Sequence, residues 1–276
     1  MSTVEGNDEQ DLTRKQRREQ ARAKRRELEQ AEAASALRRT RLTQLGIVAV
    51  IVVAIIIGIV VATSGGSKKG IATKPAERNA VVTEVSSLLG GIPQSGSTLG
   101  SPTAPVTLQY FADLECPVCR QFTLGALQPL LESYARPGKL RIEFHSYQTA
   151  TRDPETFRAQ QVAALAAGKQ QRAWHYIELA YRQQGEENTG YVTESYLQGL
   201  ARQVPGLDLR KWASDRSSAE LASSLASDEV AAKTHGFSGT PAFAIGKTGG
   251  TMQKLEYSSL TDPQSFVTAI QSLEKR

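Results

Sequence analysis

Cys116 and Cys119 are the only cysteines in the 276-residue chain, and they stand two residues apart in Cys116-Pro117-Val118-Cys119. The stretch before them, Val106-Thr107-Leu108-Gln109-Tyr110-Phe111, reads as a β-strand, and Arg120-Gln121-Phe122-Thr123-Leu124 after them opens a helical pattern. Thiols at i and i+3 across the first turn of a helix lie on one face and can close a small ring. A bridge over so short a loop removes little chain entropy, so stabilisation is a poor reason for it. The arrangement is that of a redox dithiol. Two thiols leave a zinc shell half empty, which argues against a structural zinc site. A metal site completed by a histidine stays open as a minor reading. His145, His175 and His235 fall on different predicted elements and read as core or surface residues.

A second constraint lies upstream. Residues 45–62 carry no charge and almost no polar group. A helix needs about 20 such residues to cross the hydrocarbon core, with roughly 17 as the lower limit. We therefore expect a single transmembrane helix over 45–63, preceded by a tail, 1–44, dense in Arg, Lys, Gln, Glu and Ala. The tail is too long for the basic start of a cleaved secretory signal. Its run from Arg14 to Arg26 is basic, but Glu19, Glu27, Glu29 and Glu32 interrupt it, so a solvated tail is expected, with anionic lipid the sharper alternative. The net charge of +5 is modest for this length, and no nucleic-acid partner is expected. The basic tail favours a cytoplasmic amino terminus. A dithiol that forms disulfides makes most sense outside the reducing cytosol. Both point to a single-pass cell-membrane protein whose catalytic domain is extracytoplasmic and whose first partner is the lipid bilayer.

Residues 64–96 read as a flexible exit from the membrane followed by a short amphipathic helix with Val81, Val82, Val85, Leu88 and Leu89. The domain proper spans 97–276. Its first strand is predicted over 106–111, a helix over 117–135, and a second strand over 140–147, a βαβ unit with a parallel pair. Asp153-Pro154 caps a long helix. Helices then continue to about 234, so a helical insertion of about 153–235 interrupts the sheet. The sheet resumes at Pro241-Ala242-Phe243-Ala244-Ile245, a hairpin leads to 252–257, and Asp262-Pro263 starts a last helix.

This pattern resembles the DsbA-like family of thiol–disulfide oxidoreductases within the thioredoxin fold, in the membrane-anchored form of Gram-positive and actinobacterial members. The resemblance covers about 99–273. It rests on Cys116-Pro117-Val118-Cys119 after a strand, on Ala104-Pro105-Val106-Thr107-Leu108 running to Phe111-Ala112-Asp113, on Ala163-Ala164-Leu165-Ala166-Ala167-Gly168-Lys169-Gln170 leading to Trp174, and on Gly239-Thr240-Pro241-Ala242-Phe243. The implied fold class is α/β, a thioredoxin-like fold with an inserted helical subdomain.

The resemblance implies that Cys116 is the nucleophile and Cys119 the buried partner that re-forms the bridge. Thr240 and Pro241 would be the family's cis-proline site, the backbone of Thr240 pairing with an extended client. Pro117 and Val118 would tune the dithiol. No cofactor is implied beyond the Cys116–Cys119 disulfide. The implied partners are reduced exported proteins as clients and a membrane reoxidase of the DsbB or vitamin K epoxide reductase type. Two departures matter. The family's strongest oxidants carry histidine where this chain has Val118, and many relatives carry a buried acid where it has Tyr110. A less oxidising disulfide is expected, and Asp113 and Glu115 are the nearby acids. The same fold could work as a reductase or isomerase. A non-catalytic metal-binding or client-binding module is the reading from another class.

Overall fold

The computed structural model describes residue 71 and residues 74–275. The predicted tail 1–44 and membrane segment 45–63 lie outside the described residues. Among the described residues no helix is long and apolar enough to cross a membrane.

The sheet is built outward from β3 (Val106–Ala112), preceded by β1 (Gln94–Ser95) and β2 (Thr98–Leu99). Every residue of β3 but Gln109 is buried, as its β-branched and aromatic composition suits. It pairs in parallel with β4 (Leu140–Ser146), Val106 opposite Leu140, as predicted for the βαβ unit. On its other side it pairs antiparallel with β5 (Ala242–Lys247), Tyr110 opposite Phe243. The order is β1-β2-β4-β3-β5-β6, with β6 (Gln253–Lys254) closing the hairpin at one edge.

The expected helix over 117–135 is broken. Helix α2 (Pro117–Leu124) stops at Gly125, and α3 (Leu127–Leu130) runs on into a π-helical turn, Leu131–Ala135. The cause is a close approach of backbone from far along the chain. The N–H of Ala126 leaves the helix to donate to Leu260 O at 3.0 Å. A Cβ on Gly125 would lie 2.7 Å from Gln121 O and 2.9 Å from Leu260 O, so only glycine fits. The β1–β2 hairpin was also not predicted. Gln94 and Ser95, within the stretch 64–96 expected to hold only a linker and a helix, join the sheet's edge through β2, and Gly96 turns the hairpin at φ +55°.

The helices are α1 (Pro75–Leu89), α4 (Pro154–Gly168), α5 (Ala173–Arg182), α6 (Glu194–Ala201), α7 (Leu209–Asp215), α8 (Ala219–Thr234) and α9 (Gln264–Glu274). Helix α4 starts as predicted, with the Asp153 carboxylate accepting from Thr156 N and Pro154 at the first turn. Strand alternation sends Tyr110 to the main core and Phe111 to a smaller one with Ala232 and Phe237. On the main face Tyr110, Phe122, Phe243 and Phe266 nest with centroids 4.6–5.4 Å apart. Burying each such ring contributes about 1.5–3 kcal/mol. Trp174 and Trp212 lie in the helical layer, their indole N–H groups paired with Ser97 O and Ala163 O.

Candidate active site

The turn between β3 and α2, Asp113 to Cys116, delivers both thiols to the carboxyl end of the sheet. Cys116 is the N-cap of α2, and its Sγ accepts from Cys119 N at 3.3 Å. Pro117 takes the first helical position, where an absent N–H costs nothing. Sγ also lies 3.5 Å from the carbonyl oxygen of Thr240. The peptide joining Thr240 to Pro241 is cis. The structure thus brings Cys116, Cys119, Thr240 and Pro241 together, although 124 positions separate Cys116 from Thr240.

The two thiols are unbridged and differ in environment. The Cys119 thiol beside it lowers the Cys116 pKa; burial works against this, and the Thr240 side chain with the N–H groups of Cys119 and Val118 adds to the lowering, leaving it at about 7. Cys119 is fully buried one turn into the helix, and burial pushes its thiol well above the usual range. The pair is therefore one ready thiolate over one held thiol. Val118 is 39% exposed at the same surface.

A thioredoxin family model matches residues 94–260. The chain belongs to this family. Over 217 residues it is 26% identical to the "Probable disulfide bond formation protein D" of Bacillus anthracis, covering 78% of this chain and 91% of that one. Its fold is similar to that of oxidised BdbD from Bacillus subtilis, with a TM-score of 0.56 at 19% identity over 67% of this chain and 97% of the other. It is also similar to alpha-DsbA1 of Wolbachia pipientis, with a TM-score of 0.52 at 17% identity over 65% and 90%. With the dithiol at the head of α2 and the helical insertion between β4 and β5, the chain is a DsbA-like thiol–disulfide oxidoreductase of the thioredoxin family.

Within that family frame, the acids near the dithiol have structural work. Asp113 is fully buried but faces the loop after β4. Its carboxylate accepts from the backbone N–H groups of Thr149, Ala150 and Thr151 and from the Thr151 hydroxyl. Thr149 in turn hydrogen-bonds Thr240 through their hydroxyls, so Asp113 supports the Thr240-Pro241 loop at one remove. Glu115 accepts from Asn188 N at 3.2 Å, and burial raises its pKa. Tyr110 donates to Cys119 O at 3.2 Å beside Thr123, which donates to the same oxygen at 3.0 Å. Burial pushes the Tyr110 hydroxyl well above its ordinary range, so it stays neutral.

Several contributors were invisible in the sequence. Tyr181 donates its hydroxyl to Asp113 O, and Gln184 reaches the carbonyls of Leu114 and Cys116. Nothing in their local pattern marks them. The three histidines are structural: His145 pairs with Asp228, His175 with Gln94, and His235 stacks on Phe237. Among the described residues no group of three or more His, Cys, Asp and Glu side chains is placed to hold a metal ion.

Proposed function

We propose that the protein is a membrane-anchored, extracytoplasmic oxidant that introduces disulfides into exported proteins through Cys116 and Cys119. The observation that carries dithiol exchange through these residues is the asymmetry of the pair: a Cys116 thiol lowered to about 7 at a helix N-cap, 3.5 Å from Thr240 O, over a fully buried Cys119. A thiol of lowered pKa is a good leaving group, which suits exchange in either direction.

In the oxidising direction a client thiolate attacks Cys116 Sγ of the disulfide. The Cys116–Cys119 bond breaks, and Cys119 leaves and takes up a proton. A second client thiolate then attacks the client sulfur of the mixed disulfide, and Cys116 leaves as the thiolate. Two electrons pass from client to enzyme. A membrane reoxidase of the DsbB or vitamin K epoxide reductase type would remove them. An extended client would pair with the Thr240 backbone. Beside it lies a groove of about 460 Å³ lined by Gly239, Pro241, Phe243, Leu255 and Tyr257 among others. The apolar segment 45–62 supports membrane anchorage, the basic tail an inward amino terminus, and the name of the Bacillus anthracis relative the forming direction.

The test is refolding of reduced, unfolded ribonuclease by the oxidised full-length protein, with Cys116→Ser as the inactive control. Recovery of ribonuclease activity together with a potential well above about −270 mV supports an oxidant. A potential at or below that value makes it a reductase. Stoichiometric copper or zinc on the reduced protein without thiol exchange makes it a metal-binding module.

A further inference from the structure

The turn that presents Cys116 is held from outside the thioredoxin core. Helix α5 belongs to the helical insertion, and its carboxyl end abuts the turn. The Gln184 side chain, only 5% exposed, lies just beyond that end. Its Nε2 donates to Leu114 O at 2.9 Å and to Cys116 O at 3.1 Å, using both amide protons on the two carbonyls that bracket Glu115. Around it the Tyr181 hydroxyl donates to Asp113 O at 3.1 Å, and Arg120 Nε returns a bond to Tyr181 O at 2.9 Å. The carbonyls of Asp113, Leu114 and Cys116 are thus all engaged from α5 and the residue just beyond it, in addition to the Cys116 N–H on Asp113 O and the Arg120 N–H on Cys116 O, while the Cys119 N–H points at Cys116 Sγ.

That division has an electrostatic consequence. A carbonyl oxygen turned towards a thiolate disfavours it, and an N–H turned towards it favours it. Pro117 supplies no N–H to this turn, so the remaining donors must be held in place. A side-chain amide suits the position because it offers two protons to two acceptors. A carboxylate offers none, and an aliphatic chain of the same length would take the Gln184 bond from Leu114 O and leave Cys116 O with only the helical N–H of Arg120.

We infer that Gln184 is a positioning residue for Cys116: its amide fixes the turn so that carbonyls face away from, and N–H groups face, the reacting sulfur. The helical insertion then sets the reactivity of the dithiol. The inference rests on thiol exchange at Cys116 but is indifferent to the direction of electron flow, so its test reads ionisation rather than client oxidation.

The experiment uses the reduced full-length protein with Gln184→Met, close in length but without donors, and Gln184→Asn, one methylene too short to span both carbonyls. Thiolate absorbance is titrated from pH 4 to 10, and alkylation by iodoacetamide is timed at neutral pH. The expected result in both variants is an upward shift of the Cys116 midpoint by about half a unit or more, with a roughly twofold or greater loss of alkylation rate at pH 7. Tyr181→Phe, which removes the bonds to Asp113 O and from the Tyr110 hydroxyl but leaves both Gln184 bonds in place, should shift it less. If Gln184→Met does not fold, Gln184→Asn is read alone. A midpoint equal to that of the unmodified protein, even with a lowered thermal midpoint, overturns the inference and leaves Gln184 a packing residue. Failure of ribonuclease oxidation with the expected titration shifts would instead count against the proposed direction alone.

Discussion

The asymmetry of the two thiols predicts how the redox potential depends on pH. Reduction of the disulfide takes up two electrons and, while both thiols stay protonated, two protons. The potential then falls by about 59 mV per pH unit, since a tenfold change in the equilibrium constant is about 29.6 mV for a two-electron couple. Above the Cys116 pKa of about 7 only Cys119 takes up a proton, and the slope halves to about 30 mV per unit. Burial of Cys119 postpones any second break to well beyond the usual thiol range. Ionisation at Cys116 doubles the population of the reduced form at pH 7, which raises the potential by about 9 mV; at pH 8 the factor is about elevenfold and the gain about 31 mV. The assay is equilibration of the full-length protein with glutathione buffers between pH 5.5 and 8.5, quantified by alkylation. One line of about −59 mV per unit across that range would refute the lowered Cys116 thiol. A slope near zero above pH 7 would refute the buried, protonated Cys119.

Three further outcomes follow from the same contacts. Replacing the exposed Val118 with histidine should place a cation beside the thiolate, move the break in that plot below pH 7 and raise the potential at neutral pH by tens of millivolts, on the order of a tenfold change in equilibrium. Gly125→Ala should cost about 1–3 kcal/mol, because the new Cβ meets backbone oxygens 2.7 and 2.9 Å away, and lower the thermal midpoint by about 2–4 °C per kcal/mol. Burial pulls the His145 imidazole down, but Asp228 and Glu143 outweigh it and hold the pKa at about 9. A raised pKa means the folded state binds the proton more tightly, so this stabilisation is full below about pH 6.5 and lost as pH rises through 9. Denaturant titrations should show at most about 3 kcal/mol of loss, flattened in Asp228→Asn.

What the sequence made legible was local. The composition of 106–111, the Asp153-Pro154 cap and the Cys116-to-Cys119 spacing each express a rule that acts over a few residues, and each element formed where that rule placed it. Thr240-Pro241 was found by resemblance, and the fold then set it against Cys116. The misses share the opposite character. Leu124, Leu127, Leu130 and Tyr134 keep helical spacing straight across Gly125, so nothing nearby announces a break imposed by Leu260. Strands β1 and β2 are two residues long, too short for alternation to register. Asp113 could be placed near the dithiol, but alternation alone could not show that the loop at 149–151 claims its carboxylate. Gln184 has no local signature because its partners lie 68 and 70 positions away.

The size of the Cys116 effect bears on where an oxidising direction would come from. A strong oxidant of this family lies about 150 mV above thioredoxin, roughly a 10⁵-fold difference in equilibrium. Thiolate formation at about pH 7 supplies only about a factor of two of that at neutral pH. With Val118 beside it, the local field at Cys116 therefore contributes little to the drive. In the proposed function the drive comes instead from a reoxidase that keeps the pair oxidised by withdrawing electrons. The anchor proposed over 45–63 then has a kinetic role. Holding the dithiol at the same membrane as its reoxidase replaces dilute encounter with an effective concentration that short tethers bring to about the millimolar range. A weakly biased dithiol gains most from such tethering, since it must be reset after each client rather than rely on an extreme potential of its own.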